Sequence, residues 1–281
     1  MPRRRPAPAT VDPSAPIAAS SEPPGTRPEA GAASAVPVTT DFASPDFAAV
    51  LAAATDDLAR RDPVLGRLVA AAGPCELDRR RGLSHFGALC RSIVFQQLAG
   101  RAAAAIFGRF VAVVTDGGEA VDLTPESVLA RPEEALRAAG LSTAKTRSIR
   151  GLAEATLNGT VPLHDVERLG DEDLISRLST VPGIGRWTSE MFLIFQLGRL
   201  DVWPVGDLGV RKGYATAWGL AELPTPKELA AYGETFRPYR SVAAWYCWRA
   251  VDTIVPDGSA PSPSPPAAKP SGPRKPAARR S

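Results

Sequence analysis

A carboxylate, a tryptophan and a tight glycine turn share one short stretch of this 281-residue chain, VPGIGRWTSEMFLIFQLGRLDVWPVGDLGV, from Val181 to Val210. Pro182 cannot continue a helix. Gly183 and Gly185 permit positive φ and leave no Cβ in the path of an approaching group. The next helix is predicted to start at about Arg186. Its first N–H groups lack intrahelical partners, and together with the helix dipole they make an anion site. A phosphate suits it, with Arg186 as a further positive charge. An ordinary connection between two helices fits PGIG alone equally well, because lone glycine motifs are weak signals. Asp207 stands in the loop after WPVG that leads into a further helix, where a carboxylate is well placed. It is either the N-cap of LGVRKG or a functional carboxylate, with Asp201 its nearest rival.

The elements that must position these groups read as helices joined by short loops. DFAAVLAAATDDLARRDPVLGRLVAAAG has apolar residues at helical spacing, interrupted at Pro63. FGALCRSIVFQQLAGRAAAAIFGRFVAVV reads as two helices with a break near Leu98–Gly100. TPESVLARPEEALRAAGL enters a helix through Thr124 as cap and Pro125 at the first helical position. STAKTRSIRGLAEATLNG begins with a cap and ends at Asn158–Gly159. DEDLISRLSTVPGIGRWTSEMFLIFQLG is a pair of helices around the glycine turn, at about 171–197. TPKELAAYGETFRPYRSVAAWYCWRAVDTIV closes the ordered part, with a break at Pro238. No strand-like alternation is sustained, so the expected core is all-α, over residues 46–255.

Residues 1–45 are rich in Ala, Pro, Ser and Thr, and residues 256–281 are Pro-rich and basic. Such segments bury too little apolar surface to offset the entropy of ordering, and both are expected to be disordered tails. The net charge of +3 is unevenly placed: the first tail sums to zero and the last to +4, which leaves −1 for the middle. An anionic partner of the middle must therefore be held by local donors, while the basic tail can add loose phosphate contacts. The three cysteines, Cys75, Cys90 and Cys247, are far apart and form no CxxC, whereas an iron–sulfur cluster takes four cysteine ligands. A reduced, cytoplasmic protein is expected. His85 and His164 are too few for a histidine metal site. No apolar run reaches membrane-spanning length, and no apolar h-region follows the basic start, so neither a membrane anchor nor a signal peptide is expected.

LSTVPGIGRWTSEMFLIF followed by DVWPVGDLGVRKG resembles the helix-hairpin-helix DNA glycosylases, and among them the 3-methyladenine-DNA glycosylase II group. SIVFQQLAGRAAAAIFGRF, GLSTAKTRSIRGLAEA and RPYRSVAAWYCWRA are similar to three further segments of that group, in the same order. The resemblance implies a two-lobed helical fold with the pocket between the lobes, without the extra β-rich N-terminal domain of some members. It implies a monomer that takes double-stranded DNA with alkylated bases and hydrolyses the N-glycosidic bond. Asp207 would stabilise the developing sugar cation or orient the attacking water.

Members that also cut the backbone carry a lysine amine at position 187 to form a Schiff base. Trp187 stands there instead, and no lysine occurs between Lys145 and Lys212. The resemblance therefore implies a monofunctional enzyme that leaves an abasic site. Alkylation makes a purine cationic, and a cationic ring stacks favourably on indole. Trp248 matches a second pocket aromatic, while Met191 departs from the tyrosine of some members and leaves the lesion range open. Gln97 falls at the residue that fills the hole left by an extruded base, with Leu98 as neighbouring candidate. Gly183, Gly185 and Arg186 would hold DNA phosphate. The main-chain carbonyls of Ser179, Val181 and Ile184 would hold Na+ or K+, with no other cofactor and no iron–sulfur cluster. Two rival readings stand beside this one: a mismatch or oxidised-base glycosylase, and a non-catalytic hairpin that only binds DNA backbone.

Overall fold

The computed structural model describes residues 45–77 and 82–251. The tails expected at 1–45 and 256–281 lie outside the described residues, Pro45 apart. Twelve α-helices follow one another among the described residues, with no strand, as the all-α reading expects.

Helix α1 (Pro45–Arg61) gives way to α2 (Pro63–Ala72) at Asp62, whose carboxylate accepts from the N–H groups of Val64 and Leu65. Ser84 caps α3 (His85–Phe95), and α4 (Gly100–Val114) follows a four-residue loop. The stretch expected as one helix from Thr124 is two, α5 (Pro125–Leu129) and α6 (Glu133–Ala138). Pro132 explains the split, since it lacks an N–H and disfavours helical backbone at the preceding residue. Ser142 caps α7 (Thr143–Leu157), which ends at Asn158. Then come α8 (Asp171–Leu178) and α9 (Arg186–Phe195), the two arms of the hairpin. Asp207 caps α10 (Leu208–Trp218), which Gly219 closes in a left-handed conformation. A capping box at Thr225 and Glu228 opens α11 (Pro226–Gly233), and α12 (Arg240–Ala250) completes the fold.

Packing sorts these helices into two lobes. In one, α12 lies against α10, α2 and α1. The crossing of α10 and α12 is close because Gly213 has no side chain: a Cβ there would run into the Cys247 carbonyl. In the other lobe α7 packs on α3, α5 and α6, and α9 packs on α8 and α3. The hairpin is locked from behind by buried Arg199, which donates to Asp171 at the start of α8 and to the carbonyls of Val166 and Leu169 at 2.9 Å. Asp207 thus belongs to the first lobe and Trp187 to the second, and they meet where the lobes join.

Candidate active site

The hairpin turn is built by its glycines, though not identically. Gly183 has φ +86°, the left-handed region that favours glycine, and a Cβ there would come 2.5 Å from Ser148 Oγ of α7. Gly185 differs from the expectation. It is the N-cap of α9 with extended backbone (φ −99°), and open space lies where its Cβ would be. Neither backbone strain nor crowding requires glycine there; glycine is a favoured N-cap, and its missing side chain leaves the turn open to an outside group. Arg186, expected to meet phosphate, has carboxylate neighbours. Its guanidinium is held at 2.5 Å by Glu172 of α8 and lies 3.4 Å from Glu190, one turn along α9, and it stays half exposed.

Glu190 itself escaped the sequence reading. It is buried in the apolar face of α9, which pushes its carboxyl up to about 7 despite Arg186, and its Oε2 has no hydrogen-bond partner among the described residues. The signal was present as the i, i+4 spacing of Arg186 and Glu190.

Asp207 is the centre of the site. Oδ1 accepts from the Val210 N–H at 2.8 Å and from Trp248 Nε1 at 2.9 Å, while Oδ2 accepts from Trp187 Nε1 at 2.7 Å. The two readings of this residue are therefore compatible. It caps α10, and the cap fixes the carboxylate for two indoles reaching it from different helices. Asp201 goes elsewhere. Its carboxylate takes Arg237 Nη1 at 2.6 Å and Arg240 Nε at 2.8 Å, and serves to fasten the start of α12.

A cavity of about 530 Å³ opens between the end of α3 and the start of α9, lined by Ser92, Phe95, Gln96, Gln97, Leu98, Trp187, Thr188 and Met191. Trp187 and Met191 lie one helical turn apart and share this wall. Trp248 does not line it. The indole is fully buried, stacked on Phe195 at 5.6 Å, and contributes its N–H to Asp207 instead of a face to the cavity. Phe95 replaces it as the second aromatic residue of the lining, and nothing in residue order distinguishes it from its apolar neighbours. Gln97 and Leu98 are both exposed at the rim, and Gln97 adopts φ +58°, uncommon for a residue with a side chain.

The hairpin carbonyls are partly engaged. Val181 O accepts the Ile184 N–H at 3.0 Å, and Gly183 O accepts Gln96 Nε2 at 2.9 Å. The carbonyls of Ser179 and Ile184 have no donor among the described residues.

The chain is similar to known proteins in both sequence and fold. The sequence profile of the HhH-GPD superfamily base excision DNA repair proteins matches residues 90–238, more than half of the chain. The chain belongs to this superfamily. Over 162 residues it is 43% identical to DNA-3-methyladenine glycosylase 1 of Schizosaccharomyces pombe, covering 57% of this chain and 70% of that protein. Among solved structures it resembles a 3-methyladenine DNA glycosylase of Schizosaccharomyces pombe in complex with abasic DNA, at 38% identity and TM-score 0.60 over 70% of this chain and 95% of that one. A DNA-3-methyladenine glycosidase from Bacillus halodurans matches at 35% identity and TM-score 0.64, over 76% and 92% of the two chains. The HhH-GPD match spans α9, the Asp207 loop and the Gln97 loop, and stops short of Trp248.

Proposed function

We propose that this chain is a monofunctional DNA glycosylase of the 3-methyladenine type, which hydrolyses the N-glycosidic bond of alkylated purines in duplex DNA during base excision repair. The observation that carries the reading is the Asp207 carboxylate, fixed by three donors and one indole away from an aromatic cavity. A base extruded into the cavity meets the ring of Trp187, whose N–H edge holds Asp207. The indole face attracts a cationic alkylpurine. As the bond to the base lengthens, positive charge develops on the sugar, and a pre-oriented carboxylate stabilises it without reorganisation. An alkylated purine already carries positive charge, so it leaves without an acid to protonate it. Water takes the sugar carbon, because position 187 offers an indole where a Schiff base would need an amine.

The remaining parts serve DNA. The exposed turn at Gly183 and Gly185 offers the first N–H groups of α9 to a phosphate. Gln97 or Leu98 fills the hole left in the base stack. Na+ or K+ at the carbonyls of Ser179, Val181 and Ile184 would bridge the turn to the same phosphate, and the two partner-free carbonyls suit a hard cation. A monomer acting on cytoplasmic or nucleoid DNA completes the proposal. Among the described residues no helix is long and apolar enough to cross a membrane.

The test is release of base from duplexes bearing one defined alkylpurine, with borohydride added in a parallel reaction. Expected are free base, an abasic strand that breaks only in alkali, and no trapped protein–DNA adduct. A robust adduct would withdraw the monofunctional assignment, and no released base from any alkylpurine would withdraw the activity.

A further inference from the structure

The end of α3 is held in an unusual way. The helix stops at Phe95, and Gln97 turns the chain through positive φ. The last carbonyls of a helix have no intrahelical donors. Here one side chain supplies two of them: Lys145 Nζ, from α7, donates to Val94 O at 2.7 Å and to Gln96 O at 2.8 Å. The third, Phe95 O, takes the Leu98 N–H at 3.4 Å. An ammonium is the favoured partner for this end of a helix, where the dipole is negative. Lys145 is partly desolvated in the process, which lowers its pKa.

The same face of α7 also reaches the hairpin. Ser148, three residues beyond Lys145, lies directly under Gly183, which has room there only because it lacks a side chain. Gln96 closes the triangle by donating to Gly183 O at 2.9 Å. One helix therefore braces two loops: the rim carrying Gln97 and Leu98, and the turn at Gly183 and Gly185. The brace is polar and specific at one end and steric at the other.

We propose that Lys145 is a positioning residue that sets the Gln96–Ala99 loop at a fixed distance from the hairpin, so that Gln97 or Leu98 enters the duplex in register with a hairpin-bound phosphate. This rests on reading the cavity as the pocket for an extruded base. Lys145 touches neither base nor sugar in that reading. Its loss should therefore matter in proportion to how much of the stack must be replaced. Extrusion from a fully paired duplex needs the loop, whereas a base in single-stranded DNA is already free to enter.

The experiment compares single-turnover excision of one alkylpurine from fully paired duplex and from single-stranded DNA, for the wild type, Lys145→Met, Lys145→Gln and Lys145→Arg. Lys145→Met should lose about tenfold on duplex and less than about twofold on single strand, since it removes two charge-assisted hydrogen bonds from the rim loop and leaves the Trp187 and Met191 wall in place. Lys145→Arg, which keeps a donor cation, should recover most of the duplex rate. A 2-aminopurine beside the lesion should brighten less on binding Lys145→Met than on binding wild type, which reports incomplete unstacking. Thermal denaturation checks folding, and Lys145→Gln carries the comparison if Lys145→Met does not fold. Equal losses on both substrates, or none on either in a folded variant, would overturn the proposal. A wild type that releases no base would overturn it together with the reading beneath it.

Discussion

Two aspartates six positions apart, Asp201 and Asp207, experience opposite environments. Asp201 is answered by charge: Arg237 and Arg240 both close on its carboxylate, and Arg240 also donates to its carbonyl at 2.6 Å. Asp207 is answered by dipoles: two indole N–H groups and one backbone N–H. Both are well fixed. The difference lies in what each has left to give. Two guanidinium groups neutralise Asp201 and leave it a structural clasp. Neutral donors orient Asp207 without cancelling its charge, which remains free to act on a cation forming nearby. In the proposed reaction, where the carboxylate must meet an oxocarbenium-like sugar, tryptophan is a better holder than arginine.

The largest expected effect breaks this contrast at its centre. Asp207→Asn should reduce single-turnover excision by about a hundredfold or more, with DNA affinity retained. The amide still caps α10, since asparagine is as good an N-cap as aspartate. It does not preserve every contact, because one indole N–H will face an NH2 group. An excision rate within a few-fold of wild type would remove Asp207 from the chemistry. Next come the holders. Trp248→Phe keeps the stack on Phe195 but deletes the N–H to Oδ1, and Trp187→Phe deletes the one side-chain donor to Oδ2 among the described residues. Each should cost about tenfold in rate, the equivalent of one hydrogen bond to a charged group. If Trp248→Phe proves silent, the buried indole is packing alone.

Asp201→Asn should show the reverse pattern. Leaving Arg237 and Arg240 with Glu234 as their remaining carboxylate should lower stability by about 1 kcal/mol, measurable by urea denaturation. Excision by the folded fraction should stay within a few-fold of wild type. The subtlest effect concerns Glu190, whose carboxyl burial raises from 4.5 to about 7. A raised carboxyl binds its proton more tightly when folded. Its stabilisation is complete below the unfolded value and is lost as pH climbs through the folded one. Thermal midpoints of the wild type should therefore fall between pH 4.5 and about 7 relative to Glu190→Gln, by the equivalent of on the order of 2–3 kcal/mol. Parallel pH curves for the two proteins would contradict a buried, proton-holding Glu190.

Much of the fold could be read directly from residue types, because caps and breakers act locally. Asp62 with Pro63, Ser84, Ser142 and Thr225 with Glu228 each open a helix where their side chains can reach orphan N–H groups. Pro182 and the positive φ of Gly183 fix the hairpin by the same short-range physics. Asp207 was legible because capping needs only three residues of context. The aromatic neighbours were legible as types and not as roles. Trp187 and Met191 share a wall because helical periodicity puts them there. Trp248 was expected in the pocket and turned out to be buried behind it, because its depth depends on how α12 meets α10 and Phe195.

What only the tertiary structure decided is who answers whom across the lobes. Sequence separation carries no information about Trp187 and Trp248 converging on one carboxylate, or about Arg186 reaching across the turn to Glu172. Nor does it show that Lys145, 49 residues from Gln96, closes the end of α3. These contacts depend on distances set by packing, to tolerances of a few tenths of an ångström. Residue identity fixed the helices, the turn and the carboxylate; the docking of two lobes turned that carboxylate into a site.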